Sequence, residues 1–192
     1  MMLLPQFDKP VHDAQRTFRT VLAALAEPLA PLTLPVLPPA PDGLLPGTAA
    51  VLLTLLDQEV SLYADPLPAD AGDWLRFHTG VRLADSAADA DFVLVRDGET
   101  VPHLAALKAG EAAYPDRSAT VIVETARFGA DQVEGCGPGF AAPRRFGASA
   151  LPAAFWVDWK VNHARFPLGV DLLLVSAGAV AGLPRTTQVT EI

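Results

Sequence analysis

The chain has one cysteine, Cys136, and three lysines, Lys9, Lys108 and Lys160, among 192 residues. A lone cysteine excludes an internal disulfide and any iron-sulfur cluster held by several cysteines of this chain, and it suits a reducing, cytoplasmic setting. Histidine is scarce too. His12, His78, His103 and His163 are dispersed without an HxH, HExxH or CxxC pattern, so no metal is expected. GxSxG is absent, which leaves a serine-hydrolase triad without its anchor. Long apolar runs are missing as well: the stretch from Leu172 to Pro184 is interrupted by Ser176, Gly178 and Gly182 and is too short to cross a bilayer. The opening residues, MMLLPQFDKPVHD, lack the basic region, apolar stretch and cleavage site of an export signal. Residues 1–7, approximately, are expected to form a short flexible N-terminus.

Apolar residues are plentiful, at 51% of the chain, enough for a continuous core and one domain spanning 1–192. A formal charge of -8 with a pI near 4.8 repels polyanions at long range, so neither nucleic acid nor an anionic membrane is an expected partner. Eleven of the fourteen basic residues are arginine, and local anion recognition would therefore use forked guanidinium groups.

Along the chain, Val11, Ala14, Phe18, Val21, Leu22 and Leu25 have the spacing of a helix that buries one face. LAPLTLP reads as a short extended segment and PPAPDGLLPG as a proline-rich loop. TAAVLLTLLD is a predicted helix with Thr48 as its cap, followed by the strand VSLYA. PADAGDWLRFHTG predicts a short helix stopped by Gly80, and DADFVLVRDG a strand. VPHLAALKAG is assigned to a further helix. SATVIVETARF, rich in β-branched residues, predicts a central strand buried on both faces, with QVEGCGPGF as its neighbour. LPAAFWVDWKVNHA is a predicted helix with Ser149 as a cap and Pro152 in its first turn. GVDLLLVS and AVAGLP close the chain as strands. The predicted fold class is α/β: a single domain with a mixed β-sheet flanked by helices.

Few residues suggest chemistry. GCGPG, Gly135 to Gly139, aims backbone N–H groups as an anion site would, but it lacks a P-loop lysine; a strand-end turn is the favoured reading. Arg76 and His78 in DWLRFHTG sit where cations cap a helix end and are the weaker site candidates. Arg144 and Arg145 read as a solvated loop. HARFPLGVDLLLV is richer. Phe166 before Pro167 ends a helix near Ala164, and Asp171 then alternates with Leu173 and Val175 on one strand face. A carboxylate on that face needs a partner, and Arg165 or Arg185 can supply it. The two arginines, with Thr186 and Thr187 of LPRTT, could instead present a forked site for phosphate.

FRTVLAALAEP, LRFHTG, RFPLGVDLLLV and LPRTT, in that order from about Phe7 to Val189, resemble the PhnH family, a subunit of the bacterial carbon-phosphorus lyase core complex. The resemblance implies an accessory, non-catalytic subunit of organic phosphonate catabolism that works with PhnG, PhnI and PhnJ. It would support formation of ribose 1-phosphonate 5-triphosphate from ATP and phosphonate with adenine release. It also implies a truncated fold of the pyridoxal-phosphate-dependent transferases without the cofactor, and a homodimer in isolation. No catalytic residue is carried over; Arg165, Asp171, Arg185, Thr186 and Thr187 are the motif positions for binding or structure. The chain is expected to hold no pyridoxal phosphate, metal or iron-sulfur cluster. Two alternatives stand beside this reading: a stand-alone phosphate-ester or nucleotide enzyme, and a small-ligand binding module.

Overall fold

Strands made almost wholly of apolar residues have to be covered on both faces, and that requirement organises the structure. The computed structural model describes residues 4–64, 66–149 and 151–192. In chain order its elements are α1 (Pro10–Ala26), β1 (Leu32–Thr33), α2 (Pro46–Leu55), β2 (Ser61–Ala64), α3 (Ala69–Thr79), β3 (Arg82–Leu83), β4 (Phe92–Val95), β5 (Ala109–Glu111), β6 (Tyr114–Ser118), β7 (Thr120–Glu124), β8 (Phe128–Cys136), β9 (Arg144–Ala148), α4 (Ala153–Ala164), β10 (Asp171–Val175), β11 (Ala179–Leu183) and β12 (Gln188–Glu191). A seven-stranded sheet in the order β1-β11-β10-β7-β4-β2-β3 forms the centre. Strands β10, β7, β4, β2 and β3 run parallel, while β11 pairs antiparallel with both β10 and β1. The architecture is α/β with a mixed sheet and helices on it.

Alternation along the central strands divides the core in two. Val121 and Val123 of β7 join Leu172 and Leu174 of β10 on one face, under Phe155, Trp156 and Trp159 of α4 and Val133 and Phe146 of the smaller sheet. Ile122, Leu173 and Val175 lie on the other, under Val21 and Ala24 of α1, Val51 and Leu52 of α2, and Trp74 and Leu75 of α3. Ile122 is fully buried, and cutting it to alanine is expected to cost about 3 kcal/mol.

TVIVE is thus the central strand expected, but its neighbours are β4 and β10. The segment QVEGCGPGF lies instead in a separate antiparallel sheet, β12-β8-β9. Parallel neighbours are joined by long crossovers, and periodicity within a strand does not encode which distant strand it pairs with. VPHLAALKAG likewise does not form a helix: one short turn at Leu104–Ala106 leads into β5. Leu104 and Leu107 are both buried by that turn, and Asp158 of α4 accepts the Leu104 N–H at 2.8 Å, so no longer helix is needed to seat them.

Two caps also differ from expectation. α2 begins at Pro46 and is flanked by Leu45, leaving Thr48 inside the helix with its hydroxyl buried and unpartnered among the described residues. The preset φ of proline favours the first helical position. α4 is flanked by Pro152, while Ser149 exchanges a hydrogen bond with the Thr125 hydroxyl at 3.2 Å. Gly47 fixes how closely α2 seats, because a Cβ there would lie 2.1 Å from the Ser176 carbonyl.

The largest departure is the face of α1. Its buried residues are Asp13, Thr17, Val21 and Ala24, whereas Val11 is 80% exposed, Phe18 48% and Leu22 56%. Of the residues expected to be covered, these three instead form an outward apolar stripe. Spacing identifies a stripe but not which surface covers it. Of the expected flexible N-terminus, residues 1–3 lie outside the described ones. The Leu4 carbonyl accepts from Trp74 Nε1 at 2.9 Å and His78 Nε2 at 3.0 Å, and Phe7 is buried.

Candidate functional site

Asp171 opens β10, and the chain that returns along β11 delivers Arg185 beside it. Arg185 is 9% exposed. Its backbone N–H donates to Asp171 Oδ1 at 2.7 Å, and its Nε reaches both carboxylate oxygens at 3.1 and 3.2 Å. Nη1 donates to the carbonyls of Pro115 and Pro167 at 3.0 and 3.3 Å, while Nη2 bonds Asp171 Oδ2 and the Ser118 hydroxyl. The guanidinium thereby ties β10 to β6 and to the α4–β10 connection. Such a forked, charge-assisted arrangement leaves it no free donor pair for a phosphate.

The other motif positions extend this knot. His163 Nδ1 donates to the Arg185 carbonyl at 2.8 Å and Trp159 Nε1 to the Thr187 carbonyl at 3.0 Å, so LPRTT is also clamped onto α4. Thr187 is fully buried, its hydroxyl unpartnered among the described residues. The Thr186 carbonyl lies against Gly137, where a Cβ would approach it to 2.9 Å. Arg165 follows α4 and makes no ion pair with Asp171; its Nη1 is buried without a partner among the described residues. Beside the knot, Asn162 donates to the Val170 carbonyl and accepts its N–H, both at 2.9 Å.

A second polar cluster lies at the same, amino-terminal ends of the strands. Asp91 accepts from the Ser61 N–H and hydroxyl at 2.9 and 2.8 Å, and Lys108 Nζ lies 2.6 Å from its other oxygen. Burial pushes the Asp91 carboxyl up, but Lys108 and the two Ser61 donors outweigh it and hold the group below its ordinary value.

Arg76 and His78 do not join these clusters. Arg76 is exposed, 3.4 Å from Asp73, beside a groove of about 360 Å³ along β2 and α3. His78 holds Leu4 and packs edge-on against Trp74 and Phe77. In GCGPG, Gly137 and Gly139 have φ of 127° and 86°, the positive values that side chains resist, as a strand-end turn requires. Cys136 beside them is exposed.

The opposite, carboxyl-terminal ends of β4 and β7 hold residues that spacing did not single out. A cleft of about 330 Å³ is lined there by Leu45, Arg96, Glu124, Thr125 and Ser149, among others. Glu124 is 8% exposed. Its Oε1 accepts the Leu45 N–H at 2.9 Å, just ahead of α2, and among the described residues no cation lies within salt-bridge distance of it. Arg96 donates from Nη1 to the Pro66 carbonyl at 3.0 Å, while its Nε is buried without an acceptor among the described residues. The available signal was an acid closing the β-branched run TVIVE, and an arginine just after FVLV.

Comparison with known proteins adds the following. The profile of a family described as bacterial phosphonate metabolism protein (PhnH) matches residues 5–190. The alpha-D-ribose 1-methylphosphonate 5-triphosphate synthase subunit PhnH of Rhizobium meliloti (strain 1021) is 36% identical over 187 residues, 95% of this chain and 92% of that protein. A putative C-P lyase subunit protein, HtxG, of Stutzerimonas stutzeri is 37% identical over 182 residues, 91% of this chain and 85% of that one.

Proposed function

The chain belongs to the PhnH family of bacterial phosphonate metabolism proteins, and on that premise we propose that it is an accessory subunit of the carbon-phosphorus lyase system without turnover of its own. Its part is to support formation of ribose 1-phosphonate 5-triphosphate from ATP and a phosphonate, with release of adenine. The partners are PhnG, PhnI and PhnJ in the cytoplasm, and the isolated chain is a homodimer. Both relatives are named as subunits, one of a synthase and one of a C-P lyase.

The structural observation that supports this reading is the outward stripe of α1. Val11, Phe18 and Leu22, spaced by seven and four residues, share one helix face. An exposed apolar face of this kind suits a surface that another chain covers. Among the described residues no helix is long and apolar enough to cross a membrane, so a lipid-spanning use of α1 has no support. Asp171 and Arg185 serve this reading as structure rather than as a phosphate site, because Arg185 is fully engaged.

The fold is also proposed to be a truncated relative of the pyridoxal-phosphate-dependent transferases that works without cofactor. The residues present do not fit a Schiff base with that cofactor. No lysine lines the cleft at the strand ends; Lys108 and Lys160 are paired with Asp91 and Glu191, each at 2.6 Å, and Lys9 precedes α1.

The test is reconstitution. The purified chain is expected to release no adenine from ATP and methylphosphonate by itself, as followed by chromatography, and to co-purify with the other subunits. Phe18→Ser combined with Leu22→Ser should leave the thermal midpoint nearly unchanged and weaken that co-purification. Adenine release by the chain alone would overturn the accessory role.

A further inference from the structure

We propose that the cleft at the carboxyl ends of β4 and β7 binds a small organic anion that also bears hydrogen-bond donors, with Arg96 on the anionic group and Glu124 on the donors. Carboxyl ends of parallel strands are where connections leave a sheet and where clefts for ligands open. Here the cleft holds about 330 Å³, within the usual size of a small-molecule site.

Glu124 is the anomaly. A carboxylate can accept about four hydrogen bonds, yet among the described residues Glu124 accepts only the Leu45 N–H, although it is 8% exposed. Holding α2 in place needs a single neutral acceptor. An acid in that position adds a desolvation cost that the amino-terminal end of α2 offsets only in part. Arg96 is under-used in the complementary sense: it has five donors, of which Nη1 reaches the Pro66 carbonyl while the buried Nε reaches no acceptor among the described residues. One group lacks donors and the other lacks acceptors, and both line the same cleft. The remaining polar side chains of the wall are bonded within the fold or, like Asp97, exposed to solvent. Thr125 and Ser149 bond one another and the Arg127 backbone, and Asp97 accepts the Glu99 N–H.

This inventory limits the ligand. A single guanidinium beside one buried acid does not suit a polyphosphate, whose charge would face Glu124 as well. A single compact anionic group, such as one phosphate, carried beside hydroxyls or an ammonium suits both ends. Sugar monophosphates and amino-alcohol phosphates share that chemistry. The inference is separate from the subunit reading, since it asks only whether this chain binds and not what it assembles with.

Calorimetry on the full chain with ribose 5-phosphate, O-phosphoethanolamine and inorganic phosphate tests it. At least one of the two organic probes is expected to bind about tenfold more tightly than inorganic phosphate, a difference of about 1.4 kcal/mol. The preferred probe tells hydroxyl from ammonium donors. Glu124→Gln, whose amide oxygen still accepts from Leu45, should abolish the advantage over inorganic phosphate, and Arg96→Ala should weaken all three. Ala126→Phe, at an exposed position on the cleft lining, should block the probes without disturbing the core. Binding of neither organic probe, or binding that Glu124→Gln and Ala126→Phe leave unchanged, overturns the proposal. Co-purification with the other subunits is expected to be unaffected by these variants, so the two readings fail independently.

Discussion

The two ends of the parallel strands use similar residues in opposite ways. At the amino-terminal ends, Asp171 is matched by Arg185 and Asp91 by Lys108, with Ser118 and Ser61 completing the bonds. At the carboxyl-terminal ends, Glu124 and Arg96 are both beside a cleft and each leaves hydrogen-bonding capacity unused. The first end is closed by its own side chains and serves the fold. The second is left incomplete by the described residues, and on the proposal above a ligand completes it. A conspicuous motif therefore marks closure here, while the open site is made of residues no motif announces.

The sharpest way to break this contrast is to open the closed end. Arg185→Ala strands the Asp171 carboxylate and three oxygens that the guanidinium now serves, and about 3 kcal/mol of stability should be lost, read as a lower urea midpoint. Asp171→Ala should cost about 2 kcal/mol, and Arg165→Ala clearly less, because Arg165 does not pair with Asp171. Equal midpoints for wild type and Asp171→Ala would remove the idea that the pair closes this end. Asn162→Ala should fall near Asp171→Ala, also about 2 kcal/mol, since it leaves the buried Val170 N–H and carbonyl unmet.

A pH titration probes the same end more gently. The Asp91 carboxyl is held below its unfolded value, so its contribution is fully present above the ordinary carboxylate range, about 3.9. It is lost as pH falls through that value toward the lowered folded one. With Lys108 39% exposed, solvent screening keeps that contribution small. Asp91→Asn should remove this portion of the acid dependence in urea titrations from neutral pH to pH 3. The smallest expected effect is at the open end. Glu124→Gln should move the midpoint by less than about 1 kcal/mol, or raise stability, because it keeps the Leu45 acceptor and discards a buried charge. A loss as large as that of Arg185→Ala would mean that Glu124 also serves closure, and the contrast between the ends would fail.

Local patterns were legible wherever one element decided its own structure. TVIVE read correctly as a buried strand, DLLLV as a strand and AAFWVDWKVNHA as a helix, and Gly80, with φ of 76°, stops α3 as DWLRFHTG indicated. Reading failed where a distant segment decided the outcome. Thr48 lost the cap position to a helix start at Pro46 that is anchored by Glu124, and VPHLAALKAG needed only one turn once α4 supplied Asp158. The Asp171 motif was legible as residues that require partners. Which arginine would answer was not, because Arg165 and Arg185 are equally plausible by charge and only the return of β11 brings one of them into reach.

From sequence alone came the α/β class, the apolar central strands, the family and the need of Asp171 for a cation. Those rest on periodicity, on composition and on the order of several motifs, all properties of the chain read in one dimension. The tertiary structure decided the parallel neighbours of β7, the outward turn of the α1 stripe, and the meeting of Glu124 with Arg96 at one cleft. Each depends on which distant surfaces touch, and the free energy of burial selects among those contacts only when the whole chain is packed.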